Sequence, residues 1–478
     1  MEPGWELTLL REAIQYTKMA LGLYRRARAR ELGDPEAAVR EQVRNRERNW
    51  LEKLRKVVFA DSENPYHHMF RLAGCGYEEV AAMVSRNGLE KTLERLLEAG
   101  VYLTHDEFKL KTPLVRGGRR IAVHERSFDN TLVKADMESR SSGSRSKGTY
   151  NRRNIQYDLY REARHAMIER ELGMTGRPEV AIKPILPSAQ GFSSAFMAWR
   201  QQRPFPAWFA PDDRGCNSIH YRVVTNLFVT ELRMLGIPFP YPTYLGHNDF
   251  TAAAELVARL CAEGHPPVVS GMVSPLVRVA AAAAEKDLDI GGSLFLPAGE
   301  AVTDAKRATI EAAGGKVYPR YIVSEVGTIG QACSRMKTGN DVHLFPDGVA
   351  VIVRQRKAPL SEVEVDSLMF TTLLPFSSRV LINLEADDAG LLVPRRCDCL
   401  FSSLGSTMEV RGIYSYGKLT GQGITLIGTD VVRVLDEDLP RRFGGVPGDY
   451  QLVEMETGLQ TQMILRVCWH GRIAHRRR

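Results

Sequence analysis

The strongest constraint on this chain is the alternation running from residue 155 to about residue 325, where stretches with helical apolar spacing are followed by short β-rich runs. Helical spacing falls at 155–172, 221–235, 250–263, 275–287 and 301–313, and "PPVVSG", "GSLFLPAG" and "KVYPRYIVSE" have the composition of buried strands. Such alternation predicts an α/β sheet wound on both faces. Past residue 340 the texture changes. "GVAVIVRQ", "SRVLINLEA" and "GLLVPR" predict an antiparallel, barrel-like part, and the glycine-rich 412–428 predicts a hinge. A helix from an N-cap at Thr429 to Phe443 and two strands, "DYQLVEM" and "TQMILRVCW", complete the pattern. The expected fold class is α/β: a large N-terminal domain of doubly wound sheets plus a β-barrel-like part, with a small, truncated α+β C-terminal lobe. Residues 1–60 read as a charged helical extension, 61–410 as the core domain, and 411–478 as hinge and shortened lobe.

The first sixty residues return Leu23, Val39, Val43, Trp50 and Leu54 at three- and four-residue steps among many charges, the pattern of an amphipathic helical pair whose cations face water. Further helices are expected at 77–84 and 88–98. The chain carries 64 Lys and Arg against 57 Asp and Glu, a net charge of +7 spread along its length except at the C-terminal "HRRR", which by itself fits an anionic small ligand or a weak nucleic-acid preference equally well; of the two, a nucleic-acid partner is the less favoured expectation. Seven unevenly spaced cysteines do not make a disulfide framework, which points to a reduced, cytoplasmic setting. The acidic, amphipathic start lacks the pattern of a signal peptide, and the most apolar window, 277–284, is too short to span a bilayer.

Residues 139–153, "SRSSGSRSKGTYNRR", follow a predicted strand, "TLVKADME", and contain almost nothing to bury. Backbone amides freed by glycine and serine, hydroxyls and a lysine form a nest suited to phosphate oxygens, and a triphosphate explains the composition. The order Lys147-Gly148-Thr149 is not that of the common P-loop, where Gly-Lys is followed by Ser or Thr. Farther on comes "LPAGEAVTDAKRATIEAAGGKVYPRYIVSEVG", residues 296–327.

With these segments in this order, residues 60–455 resemble the adenylate-forming enzymes: acyl- and aryl-CoA ligases, adenylation domains and luciferase. The likeness is strongest to the phenylacetate-CoA ligase and capsule-biosynthesis branch, with some similarity to acyl-protein synthetases. The family's phosphate loop matches Ser141, Ser142, Gly143, Ser144, Arg145, Ser146 and Lys147, with Thr149 beyond. Its adenine segment matches Ala298, Gly299 and Glu300, and its Tyr-Gly-x-Thr-Glu segment matches Tyr321 to Glu325. The resemblance implies that Tyr321 stacks on adenine, Ser324 bonds the α-phosphate, and Glu325 holds Mg2+. It further implies that Lys147 grips phosphate and that Asp388, or its neighbour Asp387, receives the ribose hydroxyls. The implied reaction is attack of a small carboxylic acid on the α-phosphate of ATP, followed by acyl transfer to coenzyme A, a carrier protein, an amine or a protein thiol.

Cys333, His343, Cys397 and Cys399 complete a three-cysteine, one-histidine set from two β-rich segments, as expected of a structural zinc site. Other positions depart from the family pattern. Ser146 and Ile322 replace glycines; Arg395, Arg396 and Arg411 compete for one conserved role; and the hinge falls at Tyr416 or Gly417. Lys418 is the last lysine, so the catalytic lysine of the family's mobile lobe has no counterpart. Arg472 is one substitute for it, and a non-catalytic nucleotide-binding or scaffold protein on the same fold is the competing expectation. In the last strand Met463, Leu465 and Val467 share one face and Cys468 lies on the other, where a thiol beside Arg466 is a candidate acyl acceptor.

Overall fold

The computed structural model describes residues 5–140, 150–211, 218–246, 249–336, 339–358, 362–416, 420–421, 424–425, 431, 433–457 and 460–467. The chain opens with α1 (Trp5–Arg28) and α2 (Pro35–Lys53), the second started by Pro35 and by the Asp34 carboxylate, which accepts from the Glu36 amide at 2.9 Å. After a π-helical turn at Leu54–Phe59 come α3 (Pro65–Leu72), α4 (Tyr77–Asn87), α5 (Leu89–Glu98) and α6 (His105–Phe108). Two antiparallel pairs follow, β1 (Leu114–Arg116) with β2 (Arg119–Ile121), and β3 (Met137–Arg140) with β4 (Tyr150–Arg153). The strand expected at "TLVKADME" is confined to its end. Asn130 turns the chain just before it, its side-chain oxygen accepting from the Leu132 amide at 3.1 Å.

From α7 (Ile155–Leu172) onward the predicted alternation holds. It continues as β5 (Glu179–Ile182), α8 (Gln190–Arg200), β6 (Ala207–Pro211), α9 (Ser218–Met234), β7 (Pro242–Leu245), α10 (Thr251–Ala262), β8 (Val268–Met272), α11 (Val273–Glu285), β9 (Leu294–Ala298) and α12 (Asp304–Ala312). Next come β10 (Lys316–Val317), β11 (Arg320–Val323), β12 (Gly327–Gln331), β13 (Val342–Leu344), β14 (Val349–Lys357), β15 (Glu364–Thr372) and β16 (Leu384–Pro394). The short α13 (Leu400–Ser403) leads to β17 (Met408–Ser415).

These strands form one 13-stranded sheet. Its parallel part runs β7-β6-β5-β8-β9-β11, with β10 beside β9; then the direction alternates through β12, β13, β17, β16, β15 and β14. The expected fold class therefore holds, the barrel-like part being an antiparallel continuation of the same sheet. "SRVLINLEA" enters its strand only at Leu384, because Ile382 and Asn383 give their amides to the Tyr66 hydroxyl (2.8 Å) and Thr371 Oγ1 (3.0 Å), with Asn383 at φ +49°.

Strand alternation sends Val180, Ile182, Phe209, Val269 and Phe295 toward α10, α11 and α12. On the opposite face Trp208 packs with Phe192 and Phe228, and Val268, Leu294 and Leu296 meet Ile168 and Leu172 of α7. The first helices pack on this body. Arg26 of α1 is buried against Glu162 of α7 at 2.6 Å, and Lys53 of α2 donates to the carbonyls of Thr372 (2.8 Å) and Leu374 (3.1 Å). At the other end, Asp436 accepts from Thr303 (3.1 Å) and Lys306 (3.0 Å), and Asp449 faces Arg278 at 3.5 Å. A hairpin of Tyr450–Thr457 and Gln460–Val467 follows. Among the described residues no helix is long and apolar enough to cross a membrane.

Candidate active site

The parallel strands end in the region where open α/β sheets hold their ligands. β9 stops at Ala298, which pairs with Met272 of β8 and with Arg320 of β11, so Gly299 and Glu300 leave the sheet beside Tyr321. Gly299 has φ +84°, a left-handed conformation that favours glycine, and the Glu300 carboxylate accepts from the Ser274 hydroxyl. Tyr321 points to the other side of β11 from Arg320, its ring 9% exposed and edge-on to Phe370 at 6.1 Å. Its hydroxyl donates to Asp388 Oδ2 at 2.8 Å. One hydrogen bond thus joins two expected site residues 67 positions apart. Burial first, and then the Asp388 charge, push the Tyr321 phenol well above its ordinary value.

The two aspartates are separated by a kink. Asp387 is left-handed at φ +58°, and its carboxylate faces His105 Nδ1 at 3.2 Å, whereas Asp388 faces Tyr321. Burial raises the Asp387 carboxyl, with His105 opposing and Glu385 adding to the rise. Tyr416, a candidate hinge, is fully buried and donates to Glu385 at 2.6 Å, which makes it an anchor of β16 against β17. Gly417, Lys418 and Arg472 lie outside the described residues, as do Ser141, Ser142, Gly143, Ser144, Arg145, Ser146, Lys147, Thr149 and Cys468.

Glu325 sits in the turn between β11 and β12, where its carboxylate pairs with Lys109. Burial acts to raise this carboxyl, but the Lys109 charge and hydrogen bond outweigh it and hold the group below the ordinary range. Ser324 beside it is exposed. The same turn is tied to the base of the 141–149 segment: Arg152 of β4 donates to Asp129 Oδ2 (2.8 Å), Asp129 Oδ1 faces Arg379 (3.9 Å), and the Arg379 charge also lowers Glu325. Lys109, His105, Asp129 and Arg379 escaped sequence reasoning because each gains its role only through contacts distant along the chain.

Gly327 closes the turn at φ +115°, and a Cβ there would lie 2.1 Å from the Tyr157 hydroxyl of α7. Gly327→Ala is expected to cost about 2 kcal/mol in urea unfolding, through strain and overlap together. Adding Tyr157→Phe should return only the overlap part. Full recovery in the double variant would mean that the backbone conformation is not strained.

Behind the turn, Cys333, His343, Cys397 and Cys399 bring their ligand atoms within 4.8 Å of one another. Cys333 Sγ lies 3.8 Å from Cys397 Sγ, and Cys399 Sγ lies 3.4 Å from His343 Nε2. A tetrahedral zinc with bonds of about 2.3 Å to sulfur and 2.0 Å to nitrogen has edges of about 3.8 Å and 3.5 Å, so the donor set fits. His343 Nδ1 is 3.1 Å from the Ser406 carbonyl, which can only accept; Nδ1 therefore carries the proton and Nε2 presents its lone pair. Glu171 of α7 braces both arms, accepting from the Ser334 hydroxyl (2.6 Å) and the Leu400 amide (2.8 Å).

Neither a protein-family model nor a curated protein sequence matches the chain. Solved structures do. A 2-hydroxyisobutyryl-CoA ligase in complex with 2-HIB-AMP and CoA superposes with TM-score 0.51 at 16% identity, covering 88% of this chain and 78% of that one. The same ligase in its postadenylation state gives TM-score 0.53 at 15% identity, covering 87% and 77%. The chain has the adenylate-forming ligase fold. Within that fold the structure brings Ala298, Gly299, Glu300, Tyr321 and Asp388 into one neighbourhood, with the Glu325 turn at the far end of β11 and the cysteine cluster behind β12.

Proposed function

We propose that this protein is an ATP-dependent ligase that activates a carboxylic acid as its acyl-adenylate and passes the acyl group to a thiol, coenzyme A being the preferred acceptor. The observation that carries the reading is the Tyr321–Asp388 hydrogen bond, because it joins two segments 67 positions apart next to the strand end that leads into Gly299, as a nucleoside site requires. In the first step a carboxylate oxygen bonds to the α-phosphorus while its bond to the bridging oxygen breaks, releasing pyrophosphate. In the second a thiolate attacks the acyl carbonyl and AMP leaves.

In this scheme Gly299 lets the purine approach the backbone, Tyr321 borders it and orients Asp388 toward the ribose, and Ser324 bonds the α-phosphate. Ser141 to Lys147, with Thr149, hold the terminal phosphates. The ionised Glu325 fits a Mg2+ ligand, and that ion when bound neutralises phosphate charge. Lys109 and Arg379 keep Glu325 ionised and fixed. Cys333, His343, Cys397 and Cys399 would hold a structural zinc. The phenylacetate-CoA ligase branch remains the preferred placement, with a carrier protein or Cys468 as secondary acceptors and the cytoplasm as the setting.

ATP–pyrophosphate exchange over a panel of carboxylic acids tests the reading. Exchange with any acid supports it, whereas nucleotide binding without exchange across the panel favours the non-catalytic alternative. Glu325→Gln is expected to lower the exchange kcat about a hundredfold with little change in the KM for ATP, the loss of one electrostatic stabiliser. Lys147→Ala should instead raise that KM. Lys109→Met separates the two roles of Glu325: a small effect points to the metal, and one as large as that of Glu325→Gln points to the ion pair alone.

A further inference from the structure

Between α7 and the centre of the sheet lies a layer that is polar where a doubly wound fold normally buries aliphatic side chains. Tyr157, Arg161, His165 and Glu169 recur every fourth residue and share one face of α7. Opposite them, on the face of β5 that carries Glu179 and Ala181, stands Lys183, one residue past the strand's end. Its backbone is fixed by β6, its amide donating to the Phe209 carbonyl at 2.9 Å and its carbonyl accepting from Trp208 Nε1 at 2.9 Å. Arg320, at the start of β11, donates through Nε to Gln331 Oε1 at 2.8 Å and lies 3.5 Å from His165 Nδ1.

The carboxylates in this layer are already engaged. Arg203 is shared by Glu169 (2.6 Å) and Glu179 (2.5 Å), and Glu179 also accepts from Ser270 at 2.7 Å. Asp158 faces Arg26, Arg153 and Arg161 together. Among the described residues neither Lys183 nor Arg320 has a carboxylate within ion-pair distance, and Lys183 Nζ has no hydrogen-bond partner. Burial lowers Lys183 to about 8 and Arg320 to about 10, each also opposed by neighbouring cations and supported by Glu179. His165 Nε2 is buried without a hydrogen bond, facing Glu169 Oε1 at 3.4 Å. Yet 26% of the Arg161 side chain reaches solvent. Groups enveloped by protein but still reached by water line a recess, and excess cations lining a recess call for an anion from outside.

One end of this layer borders the proposed adenylation site. Tyr157, at the head of the α7 stripe, lies against Gly327 in the Glu325 turn, and Arg320 is paired with Ala298 of the adenine segment. Along α7 the stripe runs about 6 Å from Tyr157 to Arg161 and about 12 Å to His165. We infer that Lys183, Arg320 and Arg161 form the far end of the acyl subsite and receive a second acidic group, so that the substrate is a dicarboxylic acid of about five to nine carbons or an aromatic dicarboxylate. This assignment rests on the adenylation reading for which carboxyl group reacts. The cation-lined recess itself does not.

Two measurements on the full chain test it. Exchange is run with adipate, pimelate and terephthalate against hexanoate, heptanoate and benzoate, and thermal unfolding is followed with each acid at constant ionic strength without ATP. The diacids are expected to win in kcat/KM by ten- to a hundredfold, roughly the value of one charge-assisted hydrogen bond. Lys183→Met and Arg320→Met should cut the diacid-to-monoacid ratio at least tenfold, while Lys183→Arg keeps it. Diacids should also raise the wild-type melting temperature more than monoacids do, and Lys183→Met should remove the difference. Equal or reversed preference, a ratio unmoved by Lys183→Met, or no Lys183-dependent stabilisation by any diacid would overturn the assignment. So would Lys183-dependent stabilisation by inorganic pyrophosphate instead, which would give these cations to the phosphates. If no acid supports exchange but diacid stabilisation persists and depends on Lys183, the adenylation reading falls and the anionic subsite stands.

Discussion

Arg203→Met is expected to lower the unfolding free energy by about 3–5 kcal/mol, the usual penalty for removing one partner of a buried ion pair. Arg203 is fully buried in the connection between α8 and β6, its Nε on Glu169 and its Nη2 on Glu179. A methionine fills most of the volume but leaves two carboxylates in a desolvated layer. The pH dependence follows from their opposite shifts. Glu179 is held below its ordinary value: burial raises it, but Arg203, Lys183 and Ser270 together outweigh burial. Its stabilising contribution is therefore full above about pH 4.3 and is lost as pH falls through the depressed folded value. Glu169 is pushed up to about 7 by burial, Arg203 notwithstanding, so it weakens the fold as pH rises from about 4.3 through 7. Without Arg203 both carboxyls move upward, and the variant binds more protons folded than unfolded. The deficit against the parent should be largest above pH 7 and shrink toward pH 5, where both acids can be neutral. Urea unfolding at pH 5, 6, 7 and 8 reads this directly. A deficit constant with pH would mean that lost packing, rather than stranded charge, carries the cost.

The order of elements was legible because each parallel strand and its return helix must bury opposite faces, which writes a period into the chain. α7 was predicted to the residue, and α10, α11 and α12 to within three. What failed was short or locally ambiguous. α8 reads as "GFSSAFMAW", a small-residue and aromatic run as suitable for a pocket wall as for a helix, and its ends carry no side-chain cap. β5 and β6 are only four and five residues long and buried on both faces, so they show no alternation to detect.

The candidate site was legible where its residues sit close along the chain, as from Ala298 to Glu325, and where one residue type served one purpose. The ambiguity between Asp387 and Asp388 could not be resolved from spacing, since a bulge with one left-handed residue exchanges the faces of the two. The polar layer under α7 was hidden for a different reason. Read as a helix alone, Arg161 and His165 look like solvent-facing residues, and only the polar residues of β5, β8 and β11 opposite them turn that face into an interior.

The double variant Cys397→Ser, Cys399→Ser is expected to lose one equivalent of bound zinc and to melt about 5 °C or more below the parent, since metal affinity in a structural site is folding free energy. The geometry sets where the damage begins. Cys333 follows β12 by two residues, His343 lies on β13, and Cys397 and Cys399 follow β16, so the four ligands join segments far apart along the chain on which Ile168 and Leu172 of α7 pack. Glu171 bonds both arms of this clip to the end of α7. Gln331, two residues before Cys333, holds Arg320 in place. Freeing the clip should therefore raise amide exchange first in residues 327–345 and 395–406, then along α7, while β5, β6 and β8 stay protected. Chelation of the parent at elevated temperature should reproduce the same order. Absence of zinc from the purified parent, or zinc retained at one equivalent by the double variant, would remove the metal from the account and leave the four side chains as a buried hydrogen-bonded cluster.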